Sequence, residues 1–509
     1  MRDLSRRQVL TRGGVAVAGI GGLSAAGVAG YAWPHSAAVA SEPARPSGSL
    51  GTQHFVGPSD LQPPTVTISH ARGSIPPAAD PPYILMTPKG YPTTGPGQPG
   101  LMIVDRRGGL VWFSPSDGTT RMDLNVQSYQ GEPVLTWWEG KVIDGYGQGQ
   151  GVIADSSYQT IGVVKGGSGL QADLHEFVIT PQDTALVTAY RTVQADLSGV
   201  GGKASGWVLS GVALEVDIAS GKVLFEWDSL DHVPVTDTQT PFAGGSKSVP
   251  FDYFHINSIA VAPDGDLVIS SRNTCALYKV ARPGGTVRWR LGGKRSSFQM
   301  ADEARFYFQH HARPQGTSAV SIFDDGGSPA REPQSRAILL SLDTTTMAAT
   351  LKQSYTHSAG LAAQNQGSMQ VLPDGRVLVG WGNLPYFSEF LADGTLAMDG
   401  QFPVPDQSYR TFTANWTGQP TTRPALAARS NPAGGSTVYA SWNGATEVDK
   451  WVVLAGTSPS ELTQAGSQQR SGFETAITVN TAGPYFAVTA RDTEGNLLAQ
   501  SATVRRTSD

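Results

Sequence analysis

Short apolar strands joined in pairs by tight turns recur from about residue 65 to residue 412, and this repetition limits the possible folds more than any other feature. In one form, a Pro-Asp-Gly or similar turn separates two alternating strands, as in SIAVAPDGDLVIS around Pro263. In the other form, the second strand ends in tryptophan, as in ALEVDIASGKVLFEW at Trp227. Such turns indicate β-hairpins, and hairpins that follow one another at this spacing are typical of a β-propeller. The pattern predicts an all-β chain with a six-bladed β-propeller, with five or seven blades as alternatives.

A second, smaller domain is expected where the repetition ends. The last part of the chain, residues 428–509, contains six or seven short strands. That density of strands predicts a small β-sandwich of the immunoglobulin or fibronectin type, with Trp442 and Trp451 in its core. The domain carries no catalytic constellation, so any contact with a cell surface or a glycan is expected to go through it.

The N-terminal residues have the features of an export signal. Arg6 and Arg7 precede a weakly apolar run rich in Gly and Ala, and an Ala-Val-Ala cleavage site lies before Ser41. This arrangement resembles a twin-arginine signal, which predicts a secreted or cell-envelope protein. An uncleaved membrane anchor is the alternative, although so many small residues would hold a bilayer poorly.

Shifts in composition give the domain boundaries, with Pro-, Ser- and Gly-rich stretches marking linkers. In chain order we predict a twin-arginine signal at 1–40, a linker at 41–60, the propeller at 61–412, a linker at 413–427 and the sandwich at 428–509.

Charge and cysteine content narrow the function classes. The net charge is −5, and loss of residues 1–40 makes it more negative, which argues against nucleic acid as a partner. An anionic small substrate remains open because a pocket on an acidic protein can be positive. The one cysteine, Cys275, excludes an internal disulfide. It lies in an apolar run, where a buried strand residue is expected rather than a nucleophile.

Histidines recur at equivalent places in the repeats. Of the nine histidines, His175 and His255 lie six and eight residues before the turn prolines of their hairpins. These offsets put them on the same face of a strand. His310 and His311 precede a third strand in the same way. The first strand of each propeller blade lines the central channel, so we predict that these histidines meet at one site. Structural packing is the alternative for each histidine taken alone.

Three polar residues add to this predicted site. Arg272 follows the second strand of the hairpin that His255 opens, Arg191 has a similar place in the preceding repeat, and Asn257 lies two residues beyond His255. A guanidinium offers paired donors to a tetrahedral oxyanion. A zinc site is the rival interpretation of clustered histidines, but an arginine that points inward opposes a cation. We therefore predict no metal and no cofactor.

Several stretches resemble the arylsulfotransferase family, in its actinobacterial and fungal branch. They are DLHEF at 173–177, DYFHINSIAVAPDGDLVISSRNTCALYKV at 252–280, VRWRLGG at 287–293, FYFQHHAR at 306–313 and SIFDDG at 321–326. The resemblance covers about residues 55–410. It implies a six-bladed propeller with a channel site that transfers a sulfuryl group from a phenolic sulfate ester to another phenol. It also implies that a histidine carries the group covalently and that no adenosine-phosphosulfate donor is needed.

The resemblance also implies roles for the predicted site residues. His310 matches the nucleophile, with His311 as the alternative, and His175, His255 and Arg272 match sulfate-binding and acid/base positions. Asn257, Arg191 and His311 are expected to contact the substrate. The partners implied are an aryl sulfate and a phenol, and the oligomeric state stays open.

Two other function classes compete with the transferase. One is a non-catalytic propeller that binds a sulfated or other anionic ligand, since a fold alone does not settle function. The other is a secreted lyase or hydrolase that uses a metal in the channel. Both a candidate nucleophile and a ligand-binding arginine are present, which favours the transferase over the binding protein.

Overall fold

Apart from short one-turn helices, the regular structure of the described residues is strand. The structure is a computed structural model that describes residues 51–71, 81–89, 95–327 and 330–508. The predicted signal and the first half of the predicted linker at 41–60 lie outside these ranges. The described residues form no α-helix, and none of their helices could cross a membrane. The predicted all-β class is confirmed. The 3-10 helices are Ser198–Val200, Ser229–Asp231, Val235–Asp237 and Asp302–Ala304.

In the repeating region, the described residues form six sheets of at least four strands, antiparallel except where Gln299–Met300 pairs, and we number them in chain order. Sheet 1 contains Tyr83–Met86, Gly100–Asp105 and Leu110–Pro115, with Phe412–Ala414 beside Tyr83–Met86. Sheet 2 contains Thr120–Tyr129, Glu132–Ile143, Tyr146–Ala154 and Thr160–Val164, and sheet 3 contains Phe177–Ile179, Thr184–Ala195, Gly206–Asp217 and Val223–Asp228. A two-stranded ribbon, Gly166–Gly167 and Leu170–Gln171, lies between sheets 2 and 3 in sequence.

The last three sheets repeat the same hairpin order. Sheet 4 contains Ile256–Val261, Leu267–Ser271, Ala276–Val280 and Val287–Gly292. Sheet 5 contains His310–Pro314, Ala319–Asp324, Arg336–Asp343 and Ala348–Tyr355, with Gln299–Met300 at its far edge. Sheet 6 contains Ser368–Val371, Val377–Gly380, Tyr386–Phe390 and Leu396–Gln401, with Thr67–His70 at its far edge. The hairpin predicted around Pro263 is therefore confirmed, and the hairpins around Pro181 and Pro373 have the same form.

Neighbouring sheets contact each other in sequence order, and sheet 6 contacts sheet 1. We call the first strand of sheets 2 to 6, and Phe412–Ala414 of sheet 1, the leading strands. Leading strands link sheets 1 and 2, 2 and 3, 4 and 5, and 5 and 6. Sheets 3 and 4 meet through Thr184–Ala195 and Ile256–Val261, and sheets 6 and 1 through Val377–Gly380 and Phe412–Ala414. The strand that completes sheet 1 comes from the far end of the repeating region.

The inner strands of these sheets are buried on both faces, which explains why they read as nearly continuous apolar runs. In Thr184–Ala195, Leu186 packs in a cluster with Ile259 of sheet 4, whereas Val187 packs in a cluster with Trp138 of sheet 2. Successive side chains of a strand point to opposite faces. One strand therefore supplies the hydrophobic cores on both sides of its sheet.

The C-terminal strands form two sheets that share one hydrophobic core. One sheet holds Ala425–Ser430, Ser436–Ser441 and Glu474–Val479, and the other holds Lys450–Ser458, Glu461–Gln469, Tyr485–Arg491, Leu497–Gln500 and Val504–Arg505. Trp451, Val438 and Val488 lie in the shared core with Trp442. The prediction that both tryptophans belong to this core is confirmed.

Both stretches predicted as linkers have described residues that pack against the rest of the chain. In the first, Phe55 packs against Phe473 with ring centroids 4.5 Å apart. In the second, Trp416 donates from Nε1 to the hydroxyl of Tyr158 over 3.0 Å. The first C-terminal strand also begins at Ala425, inside the second predicted linker. These segments therefore contribute to packing as well as to connection.

A buried ion network ties the end of the repeating region to the middle sheets. The guanidinium of Arg410 donates to Asp123 over 2.9 Å and to Glu176 over 2.8 Å. It also donates to the carbonyl oxygens of His175 and Asn257, over 2.7 and 3.0 Å. Burial lowers the pKa of Arg410, but its two carboxylate partners raise the pKa by a larger amount. The pKa therefore lies above its usual value. Arg410 therefore connects the residues before Phe412–Ala414 to sheets 2, 3 and 4.

We predict that Arg410→Met lowers the free energy of unfolding by about 3–5 kcal/mol, because it leaves buried Asp123 without its cation and Glu176 with only one of its two. Urea unfolding followed by tryptophan fluorescence measures the change. Arg288→Met is the matched control, since Arg288 meets Asp266 at 3.5 Å with a side chain that is 60% exposed. That exposed pair should be worth less than about 1 kcal/mol. Equal effects of the two substitutions would contradict the structural role of Arg410.

Candidate active site

Three of the predicted histidines come together at the leading ends of sheets 3, 4 and 5. The ring centroids of His175 and His255 are 4.7 Å apart, and His310 lies 6.5 Å from each of them. All three side chains are buried, and one ring nitrogen of each lies within 4.8 Å of the others. The structure thus brings together residues that are far apart in sequence.

Each of these histidines has its Nδ1 bonded to an aspartate. The Nδ1–Oδ2 distances are 2.6 Å from His175 to Asp173, 2.5 Å from His255 to Asp252 and 2.7 Å from His310 to Asp325. A carboxylate on one ring nitrogen fixes the orientation and the tautomer of the ring. The nitrogen left for a ligand in all three rings is therefore Nε2. The histidine positions were predicted from sequence, but these aspartates were not.

His310 carries the features of a nucleophile at Nε2. The backbone N–H of Gln366 points at this atom from 3.3 Å, so Nε2 accepts and holds a lone pair. Burial, and then the positive charge of Arg272, lower the pKa of His310 well below its usual value. The imidazole is therefore neutral at neutral pH, which is the form that can attack an electrophile.

His310 and Asp325 share one proton. Burial raises the pKa of the Asp325 carboxyl well above its usual value, and the charge of Arg272 acts in the opposite direction. The N–H of Gln366 favours the state in which Nδ1 donates to the carboxylate and Nε2 carries no proton. An ionised Asp325 would also stabilise positive charge that develops on the ring during attack.

Arg272 is held beside the histidines by backbone and side-chain contacts. Its backbone N–H donates to the carbonyl of His255 over 3.0 Å. Its guanidinium donates to Asn273 over 2.9 Å and to the carbonyl of Gln364 over 3.0 Å, and it lies 4.9 Å from the ring centroid of Phe308. Its charge is among the causes of the lowered pKa values of His255 and His310. The predicted grouping of an arginine with three histidines is present in the structure.

Left-handed backbone conformations concentrate at this site. His255, Phe308, His311 and Gln366 have φ angles of 52°, 57°, 50° and 69°. Positive φ costs free energy in residues with a Cβ and persists where the surroundings enforce it. The site is therefore built partly from strained backbone, which sets the directions of the His255 ring and of the Gln366 N–H.

Tyr190, which the sequence did not indicate as a site residue, flanks the histidines and packs against Tyr146. Tyr190 lies 6.4 Å from both His175 and His255, measured between ring centroids, and 5.2 Å from Tyr146. Its hydroxyl donates to the carbonyl of Ile256 over 3.2 Å. An aromatic ligand next to His255 would find flat apolar surface here.

The other predicted substrate contacts are placed differently. The amide of Asn257 is fully buried and donates to the carbonyl of Gln309 over 2.6 Å. His311 is also buried, and its Nδ1 lies 3.1 Å from the carbonyl and 3.2 Å from the N–H of Met369. Between the two neighbouring histidines, His310 is thus the one whose ring joins the cluster.

Arg191 is not brought to the cluster. Its guanidinium donates to Glu226 over 2.6 Å and also bonds to Asp228. Arg191 lies inside the strand Thr184–Ala195, next to Tyr190. Because successive side chains in a strand point to opposite faces, the residue beside an inward-facing tyrosine is directed away from the histidines.

Cys275 has the buried position that the sequence predicts. It lies in the turn between Leu267–Ser271 and Ala276–Val280 rather than inside a strand, and its φ angle is 50°. Burial raises the pKa of its thiol to about 12. A thiol of this kind is not a nucleophile at neutral pH.

The three histidines are also the described residues best placed to hold a metal ion. Histidines that bind metals commonly have their second nitrogen on a carboxylate, as His175, His255 and His310 do. The nearby guanidinium of Arg272 opposes a cation at the same point. The donor set therefore fits a metal, whereas the surrounding charge favours an anion.

Comparisons with known proteins point to one family. Residues 125–403 match the family model described as arylsulfotransferase (ASST). No curated protein matches the chain.

Several solved structures have a distant likeness to the chain. A protein of unknown function from Bacteroides caccae is 12% identical, with a TM-score of 0.39, over 65% of this chain and 97% of that one. A protein from Lactobacillus plantarum is 14% identical, with a TM-score of 0.33, over 78% and 99%. A streptogramin B lyase structure is 11% identical, with a TM-score of 0.33, over 74% and 94%. A likeness of this degree identifies neither a function nor a ligand.

The family match extends over more than half of the sequence and includes every histidine of the cluster, each of their aspartate partners and Arg272. On this evidence, the chain belongs to the arylsulfotransferase family.

Proposed function

We propose that this protein transfers a sulfuryl group from a phenolic sulfate ester to an acceptor phenol in a ping-pong reaction, with His310 as the covalent carrier. The observation that supports this most directly is the unprotonated Nε2 of His310, which accepts from the N–H of Gln366 on a ring whose Nδ1 bonds to Asp325. The reaction needs no adenosine-phosphosulfate, because the carrier is loaded by the phenolic ester itself. The family match supports arylsulfotransferase activity in general.

We further propose that the six sheets are the blades of a propeller around this site. The contacts that run from sheet to sheet and return from sheet 6 to sheet 1 support it. The leading strands would then surround a channel, with the histidines of three successive blades at its wall. The two C-terminal sheets with one core would be a sandwich of the immunoglobulin or fibronectin type, suited to contact a surface or glycan outside the site.

In the first half-reaction, the lone pair of His310 Nε2 attacks sulfur and forms an N–S bond. The bond between sulfur and the aryl oxygen breaks, and the electron pair leaves with the phenolate. His175 rather than His255 gives the leaving oxygen a proton, as a general acid in hydrogen-bond reach would do, because burial lowers the pKa of His255 and disfavours its protonated form. In the second half-reaction that residue takes the proton of the acceptor phenol, whose oxygen attacks sulfur while the N–S bond breaks.

Arg272 stabilises the sulfuryl oxygens in both half-reactions. Charge on these oxygens needs donors that are fixed before the reaction begins. The guanidinium of Arg272 is oriented by Asn273 and by the carbonyl of Gln364. Tyr146 and Tyr190 would contact the aryl ring beside His255.

We also propose that residues 1–40 direct export by the twin-arginine route, with the mature protein secreted or held at the cell envelope. The paired Arg6 and Arg7 and the Ala-Val-Ala site before Ser41 support this. Membership of the actinobacterial and fungal branch is proposed on the FHINS to QHHAR stretches.

A metal-dependent reaction is the second candidate, favoured by the three converging imidazoles. Measurement of metal content in the purified protein, with activity before and after chelation, separates the two candidates. The transferase needs no stoichiometric metal and should keep its activity after chelation. Loss of activity that a divalent metal restores would favour the second candidate.

We predict that His310→Asn lowers transfer from 4-nitrophenyl sulfate to phenol by about 10⁴-fold or more, since it removes the covalent carrier. Release of nitrophenol with and without acceptor measures the rate. His311→Asn is the matched control and should keep most of the activity, because that ring bonds to Met369 backbone outside the cluster. Thermal unfolding of both variants shows whether they are folded.

Other outcomes of this assay would contradict the proposal. Full activity in both histidine variants excludes the covalent mechanism. Release that does not depend on acceptor indicates a hydrolase, and no release from any phenolic donor indicates a binding protein.

We predict that Asp325→Asn lowers kcat/KM for the donor by roughly 10²- to 10⁴-fold, because the amide no longer fixes the ring of His310 or stabilises its charge. In the wild type, kcat/KM should rise with pH as the His310–Asp325 pair loses the proton that blocks Nε2. In the variant this acid limb should move to lower pH, since burial lowers the pKa of His310 and the amide does not titrate. If the acid limb of the variant is unchanged, the His310–Asp325 pair is not the group whose titration produces that limb.

A further inference from the structure

Lys89 approaches the active site from sheet 1 and has no role in the reaction as described above. It follows the strand Tyr83–Met86, and its backbone exchanges two hydrogen bonds with Gln407, of 3.0 and 2.9 Å. Its Nζ donates to the side-chain carbonyl oxygen of Gln366 over 3.2 Å. The ammonium group is therefore held in place by the chain segment that also meets the histidines.

Gln366 links Lys89 to the nucleophile. Its backbone N–H points at His310 Nε2 from 3.3 Å, while its side chain accepts from Lys89 and donates to Gln407 over 2.7 Å. The carbonyl of Gln364, two residues earlier, accepts from Arg272. Two cations, Lys89 and Arg272, thus bond to the three-residue segment that touches the attacking nitrogen.

Lys89 lacks the anionic partner that a buried ammonium normally has. Across the described part of the chain, no carboxylate forms an ion pair with it, and its Nζ bonds to the neutral side-chain amide of Gln366. Burial alone lowers its pKa to about 8, although the residue as a whole is only half-buried. An ammonium group that is largely enclosed by protein and lacks an anionic partner is stabilised by an anionic ligand.

We propose that Lys89 is a second cationic residue that binds the sulfuryl oxygens of the aryl sulfate, next to His310 and in addition to Arg272. This inference rests on the proposed function, because it takes the sulfate ester as the ligand. The charge on the sulfuryl oxygens would then be shared between a guanidinium and an ammonium. No bond to Lys89 forms or breaks, and it keeps its proton throughout.

The charged and titratable groups near this segment respond to pH in distinguishable ways. Burial lowers the pKa of both His310 and His255, so they titrate on the acid side. Arg272 keeps its charge over the working range. Asp406, beside Gln407 in the chain, has a pKa raised by burial to about 6. A loss of donor binding as pH rises through about 8 would therefore belong to Lys89.

The test compares Lys89→Met, Lys89→Arg and the exposed-site control Lys222→Met in the full chain. With 4-nitrophenyl sulfate, Lys89→Met should lower kcat/KM by about 10- to 100-fold, the effect of losing one charge-assisted hydrogen bond. The wild type should lose kcat/KM as pH rises through about 8. Lys89→Met should lack this limb, and Lys89→Arg should keep the activity while the limb moves to higher pH. Lys222→Met should match the wild type.

A second measurement separates failure of this inference from failure of the proposed function. Inorganic sulfate should raise the melting temperature of the wild type, with an apparent affinity about tenfold weaker in Lys89→Met. Sulfate binding that depends on Lys89 in a protein without transferase activity would support the binding role and overturn the proposed function. Unchanged kcat/KM and unchanged sulfate affinity in Lys89→Met would overturn the role of Lys89. So would a lowered kcat/KM with an unchanged basic limb.

Discussion

The buried pairing of Arg410 with Glu176 is the interaction on which the arrangement of the other parts depends. Glu176 accepts from Arg410, from Arg313 over 2.7 Å and from the N–H of Ile259 over 3.2 Å, so one carboxylate joins sheets 3, 4 and 5. The charges of Arg313 and Arg410 outweigh burial and lower the pKa of Glu176, which stays ionised. Removal of any member leaves an uncompensated buried charge. The network therefore helps to fix how sheets 3, 4 and 5 are placed against one another. Apolar packing alone would define this placement less precisely.

This network lies directly behind the histidines. Glu176 follows His175 in sequence, and Arg410 holds the carbonyl of His175. The backbone that presents the His175 ring is thus fixed from behind by a cation, while the ring is fixed from the side by Asp173. Left-handed φ angles at His255 and Gln366 complete the geometry. A site that binds an anion needs donors that do not rearrange during reaction, and here the rigidity comes from buried charge.

The hairpins and the histidines could be predicted because the residues that indicate them lie close together in sequence within each repeat. Turn residues mark every hairpin, and equivalent offsets mark His175 and His255. The aspartate partners could not be found in this way, because they lie two and three residues before those histidines but fifteen residues after His310. Arg191 was grouped with Arg272 by repeat position. Arg272 lies after its strand ends, whereas Arg191 lies inside a longer strand that directs its side chain outward. The lengths of these strands could not be predicted from a single sequence.

Lys89 and Arg410 escaped prediction for a related reason. Both lie outside the region that matches the family, residues 125–403, and neither belongs to a repeat that carries a histidine. They reach the site because sheet 1 combines strands from the two ends of the repeating region, with Tyr83–Met86 paired to Phe412–Ala414. The matched region alone contains the histidines and Arg272 but lacks all four strands of sheet 1. The site therefore needs the whole repeating region. Its nucleophile, His310, and its second cation, Lys89, come from opposite sides of the junction between sheets 6 and 1.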